Sequence, residues 1–378
     1  MISEKQRRQR KSLKVRLLNF IQSSSFKERE ETTFNTLAID LFNYQFTWNN
    51  SYSAYCKKLG KIPGTISSWR DTPLMPITAF KFIPVFAGDA EKAPVCYRSS
   101  GTTMADARSK HYLWDTELYD ASVVNNFKRC VIPDLQKIKI ISLVPQEKDM
   151  PDSSLSHMIY KVIREFGTED SSTFIDNNGF LWDSLLDTLA KNQTEQSPLA
   201  IIGTLASFSH LFNFLSERGM KFSLPPQSRI MDTGGSKGAV SPKWEKTSQW
   251  DWSRKKFYDA AAQFFGISSR QCINEYGMSE MGSQFYDKIF LGEYGYTTGR
   301  IIPPWAKTRV VNWKTMEEVK DGEEGVLCFY DLSNLDSALA LQTEDIGVLR
   351  GNSFELIGRA QGAEAKGCSL SMQEFLSK

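Results

Sequence analysis

Between Tyr97 and Thr103 the chain reads Tyr-Arg-Ser-Ser-Gly-Thr-Thr, with Arg108 and Lys110 close behind. Ser99, Ser100, Thr102 and Thr103 place four hydroxyls around Gly101. Hydroxyls and backbone N–H groups on a glycine-bent loop form a nest of donors, a surface suited to phosphate oxygens. A Ser/Thr-rich turn bonding its own backbone is the plainer alternative.

Three further loops have matching chemistry. Asn274-Glu275-Tyr276-Gly277-Met278-Ser279-Glu280 offers an aromatic ring, a hydroxyl and a carboxylate. A purine can lie on Tyr276, Ser279 can donate to phosphate, and Glu280 is a hard oxygen ligand for Mg²⁺, which commonly takes one or two carboxylates plus substrate phosphates. Asp232-Thr233-Gly234-Gly235-Ser236-Lys237-Gly238 lacks the P-loop spacing, so Gly234 and Gly235 are read instead as letting the backbone pass close to a flat ligand. In Thr343-Glu344-Asp345-Ile346-Gly347 and Ile357-Gly358-Arg359, Asp345 can accept from a diol and Arg359 can reach a phosphate. Each of these loops, taken alone, could be an ordinary polar turn.

The composition limits the alternatives. The chain has 378 residues, a formal net charge of +2, 41% hydrophobic and 24% charged residues. That balance gives no global field for nucleic acid or an anionic membrane. No run approaches the ~20 apolar residues of a transmembrane segment, and no signal-peptide pattern follows the basic start. Lys5, Arg7, Arg8, Arg10, Lys11, Lys14 and Arg16 share that start with Leu13, Leu17, Phe20 and Ile21 at helical spacing, which predicts an amphipathic helix with a solvated basic face; an acidic partner or lipid surface is the other reading. Six scattered cysteines and three dispersed histidines argue against a zinc site and fit reduced thiols in the cytoplasm.

Elements able to hold these loops follow from the hydrophobic pattern. Residues 1–75 read as a helical segment packed on the main domain, with extended chain at Phe80 to Phe86. Short apolar runs at Lys137–Val144, Thr173–Ile175, Leu199–Gly203 and Arg229–Met231 alternate with helical stretches at Ser154–Phe166, Leu181–Leu189, Phe208–Leu215 and Arg254–Phe265. Such alternation predicts an α/β fold with a largely parallel sheet. Beyond residue 270 short strands predominate, giving a β-rich carboxyl part.

In order, Ser-Ser-Gly-Thr-Thr, Tyr-Gly-Met-Ser-Glu, the Thr-Glu-Asp turn and Gly-Arg resemble the adenylate-forming enzymes. More narrowly, Tyr44-Gln45-Phe46, Phe80-Lys81, Gly-Gly-Ser-Lys-Gly and Gly367-Cys368-Ser369-Leu370 resemble the acyl-protein synthetases of the bacterial bioluminescence fatty acid reductase complex. The resemblance implies that family's large-domain fold over residues 76–357, its usual carboxyl-terminal domain shortened to a tail at 358–378. It further implies ATP and Mg²⁺ as cofactors. Ser99, Ser100, Gly101, Thr102 and Thr103 would hold phosphates, Tyr276 and Gly277 would line adenine, and Ser279 would contact phosphate. Glu280 would bind the metal, Asp345 the ribose, and Arg359 would stand at the junction with the tail.

Two departures stand out. Met104 follows Thr103 where the family pattern continues to a lysine, so Arg108 or Lys110 would have to supply the cation. The chain stops soon after Arg359 where family members continue into a carboxyl-terminal domain carrying a lysine, and Lys366 is the candidate substitute. The implied reaction adenylates a carboxylic acid, fatty by resemblance, and then transfers the acyl group to Cys368, from which an acyl-reductase partner would take it. Two other readings are an adenylating ligase for aryl or amino acids with an external acceptor, and a non-catalytic interaction protein. Ile201–Leu215, with Phe208, Leu211, Phe212 and Phe214, could line an acyl tunnel or pack as core; His210 could contact the carboxylate or be structural.

Overall fold

The computed structural model describes residues 2–25, 30–99, 108–234, 253–287, 289–290 and 299–360. Its centre is a six-stranded sheet in the order Phe285–Tyr286, Cys272–Tyr276, Arg229–Thr233, Leu199–Thr204, Lys139–Leu143, Ser172–Thr173. All neighbouring pairs are parallel except the first. Period-two alternation sorts the side chains. Ile141, Leu199, Ile201, Ile230 and Cys272 face one core with helices Trp182–Glu195, Leu205–Glu217 and Arg254–Phe265. Ile140, Ala200, Ile202, Met231 and Ile273 face another with helices Glu117–Cys130 and Ser154–Phe166. Helices on both faces leave these strands buried throughout, which is why their sequences are almost continuously apolar.

The helices start where short polar side chains can cap them. Ser153 accepts from the Ser156 N–H at 3.1 Å and Thr204 from the Ser207 N–H at 3.0 Å. Helix Arg254–Phe265 ends on Gly266 at φ +67°, the left-handed cap that glycine tolerates.

A second, mainly antiparallel sheet runs Gly299–Ile301, Ser353–Arg359, Ala340–Arg350, Glu324–Asp331, Ala306–Val311, with Met75–Pro76 added parallel to Ala340–Arg350. Helices Glu31–Trp48 and Asn50–Lys58 pack on it. Buried Gln45 clamps the first of these, donating to the Asn334 carbonyl at 2.6 Å and accepting from the Leu339 N–H at 2.8 Å. Among the described residues no helix is long and apolar enough to cross a membrane.

Three local expectations are corrected. The segment expected to be extended at Phe80 begins as a helical turn, Ala79–Phe82, because Phe80 must turn inward to a buried position. The single strand expected at Thr173–Ile175 splits. Ser172–Thr173 joins the large sheet, and Ile175–Asp176 turns away into a hairpin with Gly179–Phe180. The basic face of helix Glu4–Ser23 is only partly solvated. Arg10 is buried, bonded to Asp336 and Asp115 at 2.7 Å, and Lys14 pairs with Asp115 and Glu117 at 3.0 and 2.6 Å. Arg7, Arg8 and Lys11 do face solvent.

Candidate functional site

Parallel strands end together, so strand-end residues meet regardless of their distance in sequence. Arg229–Thr233 and Cys272–Tyr276 pair Thr233 with Glu275, and the chain leaves the first strand through Gly234 at φ +80°. Thr233 donates its hydroxyl to Glu275. Burial pushes the Glu275 carboxyl up to about 7, against the Thr233 hydrogen bond and the Arg300 charge that draw it down. A Cβ at Gly277 would lie 2.6 Å from Glu275 Oε1, so a larger residue there would require this carboxylate, held by Thr233, to shift. One layer deeper, Asn274 donates to Asp232 at 2.9 Å, Arg254 pairs with Asp232 at 2.6 Å, and Arg300 donates to Asn274 at 2.7 Å.

Tyr276 closes the strand and joins the two sheets. Its hydroxyl donates to Asp345 Oδ2 at 2.7 Å, while the ring meets Phe354 edge-on at 5.4 Å and Phe329 at 5.8 Å. Burial, then the Asp345 charge, holds the phenol protonated well above its ordinary range. The other Asp345 oxygen lies 3.4 Å from Arg359 Nε, its cross-strand partner in register, and Arg359 also stands 3.8 Å from Glu344. A purine expected on Tyr276 therefore meets a ring that is 9% exposed, and a diol expected on Asp345 shares its oxygens with two existing partners. A carboxylate has lone pairs enough for both.

The Ser-rich loop springs from a hairpin of Val95–Arg98 and Lys110–Leu113. Its stem is closed by Ser99 and Ser109: the Ser99 N–H donates to the Ser109 carbonyl at 3.1 Å, and the Ser109 N–H to Ser99 Oγ at 3.0 Å. His111 ties this stem to the second loop. Its Nδ1–H donates to the Ser279 carbonyl at 2.7 Å, and Nε2 accepts from the Ser337 hydroxyl at 3.0 Å. Burial lowers this imidazole to about 4, against the Ser279 bond, so the neutral tautomer implied by those partners persists near neutrality. Glu280 follows, 5% exposed, hydrogen-bonded to the Ser109 side chain and raised above the usual carboxylate range by burial. Behind it, Asn334 donates to the Glu280 carbonyl at 3.1 Å, and Asp331 accepts from the Gly282 and Ser283 N–H groups at 3.1 and 2.9 Å.

Of the expected site residues, Ser99, Ser279 and Glu280 meet at one point, and Tyr276, Asp345 and Arg359 at an adjoining one, with Gly277 between them in sequence. Gly234 lies at the end of the neighbouring strand. Ser100, Gly101, Thr102, Thr103, Gly235, Lys366 and Cys368 lie outside the described residues. Ser109, His111, Glu275 and Arg300 went unassigned from sequence. Glu275 was inside a quoted motif, but nothing in a linear reading signals that His111 faces Ser279. No group of three or more His, Cys, Asp or Glu side chains able to hold a metal occurs among the described residues. A cation beside Glu280 would thus rely on substrate oxygens, as Mg²⁺ commonly does. A buried carboxylate with no cation bonded directly to it among the described residues suits that role.

Helix Leu205–Glu217 carries the residues that could line a tunnel or pack as core. Phe208, Leu211 and Phe212 are fully or almost fully buried in the core against Phe257 and Phe264.

The acyl-protein synthetase family LuxE matches residues 19–377. The long-chain-fatty-acid–luciferin-component ligase of Vibrio harveyi is 23% identical over 374 residues, covering 94% of this chain and 92% of that protein. The ligase of the same name from Aliivibrio fischeri is 22% identical over 369 residues, with the same coverage. Among solved structures, 2-hydroxyisobutyryl-CoA ligase in its postadenylation state superposes with a TM-score of 0.62 at 11% identity, covering 93% of this chain and 76% of that one. A long-chain-fatty-acid-CoA ligase from Archaeoglobus fulgidus gives 0.51 at 12% identity, over 75% and 54%. The fold is that of the adenylate-forming ligases.

Proposed function

Because this chain belongs to the LuxE acyl-protein synthetase family, and is therefore a ligase, we propose that it activates a long-chain fatty acid with ATP and passes the acyl group to its own Cys368. The names of the two curated relatives support the long-chain acid. The observation that carries the reading is the placing of Glu280, bonded to the Ser99–Ser109 stem, and of the Tyr276–Asp345–Arg359 group at and just beyond the end of the strand Cys272–Tyr276.

In the first step a carboxylate oxygen attacks the α-phosphorus of ATP. The bond to the bridging oxygen breaks, and pyrophosphate leaves with the electron pair. Such a reaction needs positioning and charge neutralisation more than covalent help. Glu280 would hold Mg²⁺, which supplies charge neutralisation on the phosphates when bound. Asp345 would orient the ribose, and the Tyr276 hydrogen bond keeps that carboxylate in place. In the second step the Cys368 thiolate attacks the acyl carbon, the bond to AMP breaks, and AMP departs with the electrons; the thiol proton has gone to solvent. A reductase protein would then accept the acyl group from the thioester.

ATP–pyrophosphate exchange across long-chain, aryl and amino acids tests the first step. Exchange driven by long-chain acids is expected; exchange with aryl or amino acids alone overturns the substrate assignment. Intact mass after incubation with ATP, Mg²⁺ and a fatty acid tests the second. An acyl adduct persisting in Cys368→Ser removes that cysteine from the reaction.

A further inference from the structure

The proposed reaction leaves Gln45 without a role, although it is buried and donates to the Asn334 carbonyl. Asn334 belongs to the segment 331–337, Asp-Leu-Ser-Asn-Leu-Asp-Ser, at the end of the strand Glu324–Asp331. Asp331, Ser333, Asn334, Asp336 and Ser337 are all buried there, and polar side chains at such depth need partners. Asp331 accepts from the Gly282 and Ser283 N–H groups and from the hydroxyls of Ser283 and Ser333. Asp336 accepts from Arg10 Nε at 2.7 Å and from the Trp114 N–H at 3.0 Å.

The remaining two grip the main chain on either side of Glu280. Ahead of it, the Ser279 carbonyl accepts from His111, whose other nitrogen accepts from the Ser337 hydroxyl at 3.0 Å. Behind it, Asn334 Nδ2 donates to the Glu280 carbonyl at 3.1 Å, while Asn334 Oδ1 accepts from the Gly282 N–H at 2.8 Å. Nδ2 donates as well to the Ala338 carbonyl at 3.2 Å, so both amide hydrogens and the amide oxygen are in use. Turning the amide over would set its N–H groups against that of Gly282. The fit is close: a Cβ at Gly282 would lie 2.3 Å from Ser333 Oγ.

Resting on the metal role given to Glu280 above, we infer that Asn334 is the positioning residue for that carboxylate, with Ser337 acting through His111 from the other side. Asn334 makes and breaks no bond; it locks the two peptide groups flanking Met281 and so fixes where the Glu280 side chain leaves the turn. A binding oxygen has to be held to within about 0.5 Å. Removing an outer partner of a metal-binding side chain typically costs about 10- to 100-fold in metal affinity or activity.

The test titrates Mg²⁺ in fatty-acid-dependent pyrophosphate exchange for wild type, Asn334→Asp, Ser337→Ala, Glu280→Gln and the double variant Asn334→Asp/Glu280→Gln. Aspartate keeps the shape and the acceptor for Gly282 but loses both donors. The Mg²⁺ needed for half-maximal exchange should rise about 10- to 100-fold in Asn334→Asp, and by a smaller factor in Ser337→Ala, with KM for the acid unchanged. In the residual exchange of Glu280→Gln, adding Asn334→Asp should produce no further shift, because its effect runs through the carboxylate. Phe212→Ala, a core truncation, should lower the melting temperature without moving the Mg²⁺ requirement. A wild-type requirement in Asn334→Asp, its full effect persisting beside Glu280→Gln, or an equal shift in Phe212→Ala overturns the inference and leaves the nucleotide reading standing. Should Asn334→Asp not fold, Ser337→Ala decides alone, and a wild-type requirement there overturns the inference. A wild-type requirement in Glu280→Gln overturns the metal role and the inference together.

Discussion

Tyr276 and Asp345 stand 69 residues apart in sequence and 2.7 Å apart in space, the phenol at the end of a strand in one sheet donating to a carboxylate on the other sheet. Asp345 sits just before the bulge between Ile346 and Gly347, where the register with Ser353–Arg359 shifts and sets Arg359 opposite it. Extra local twist at a bulge is a common way to re-aim a side chain at a site. The bond therefore couples sheet docking to the geometry of the expected ribose site.

Tyr276→Phe should separate these roles. The ring stays packed, but the hydrogen bond to a charged group, worth about 1.5–3 kcal/mol, is lost. Calorimetry should show ATP binding weakened by roughly tenfold or more, with far-UV circular dichroism unchanged.

Glu280→Gln should make the protein less active and more stable. Burial raises the Glu280 carboxyl, against the Ser109 hydrogen bond and the Lys81 and Arg359 charges, so the folded state disfavours the ionised form. The resulting stability penalty is absent below the unfolded value of about 4.3 and grows as pH rises through the folded one. Melting curves should show the variant's advantage opening over that range, while pyrophosphate exchange drops by about a hundredfold or more.

His157 gives a pH slope of the same sign from a stabilising contribution. Its Nδ1 faces Glu147 Oε1 at 2.6 Å and its Nε2 faces Asp120 Oδ1 at 2.7 Å, so both nitrogens must donate. Burial alone would lower this imidazole, but the hydrogen bonds and charges of Asp120 and Glu147 raise it above its ordinary value, with Lys161 3.6 Å from Asp120. The stabilisation is complete below about 6.5 and is lost as pH rises through the folded value. The melting-temperature gap between wild type and His157→Gln should therefore narrow with increasing pH.

Gly277→Ala should destabilise through Glu275. The new Cβ displaces a carboxylate that Thr233 holds, so the two sites should couple by about 0.5–3 kcal/mol in a double-mutant cycle with Thr233→Val. Additive denaturation free energies would break the link drawn here.

Phe212→Ala should cost about 3–5 kcal/mol of stability as a core truncation. Chain-length preference in the exchange assay should not change, because Phe212 packs against Phe257 and Phe264 in the core.

Hydrophobic period and strand-end chemistry are local properties, and both were legible in the linear chain. Alternating apolar runs announced the parallel sheet, and Tyr276, Glu280, Asp345 and Arg359 stood out by their types and order. Errors arose where long-range contact overrides local preference. Phe80 turned helical to reach its buried place, and Arg10 left solvent for Asp336, 326 residues away. The helical residues Phe208 and Phe212 could equally have lined a tunnel or filled a core, since burial depends on what lies opposite. Only the tertiary structure could bring His111 to Ser279 and Tyr276 to Asp345, because a short-range force such as a hydrogen bond acts on distance in space.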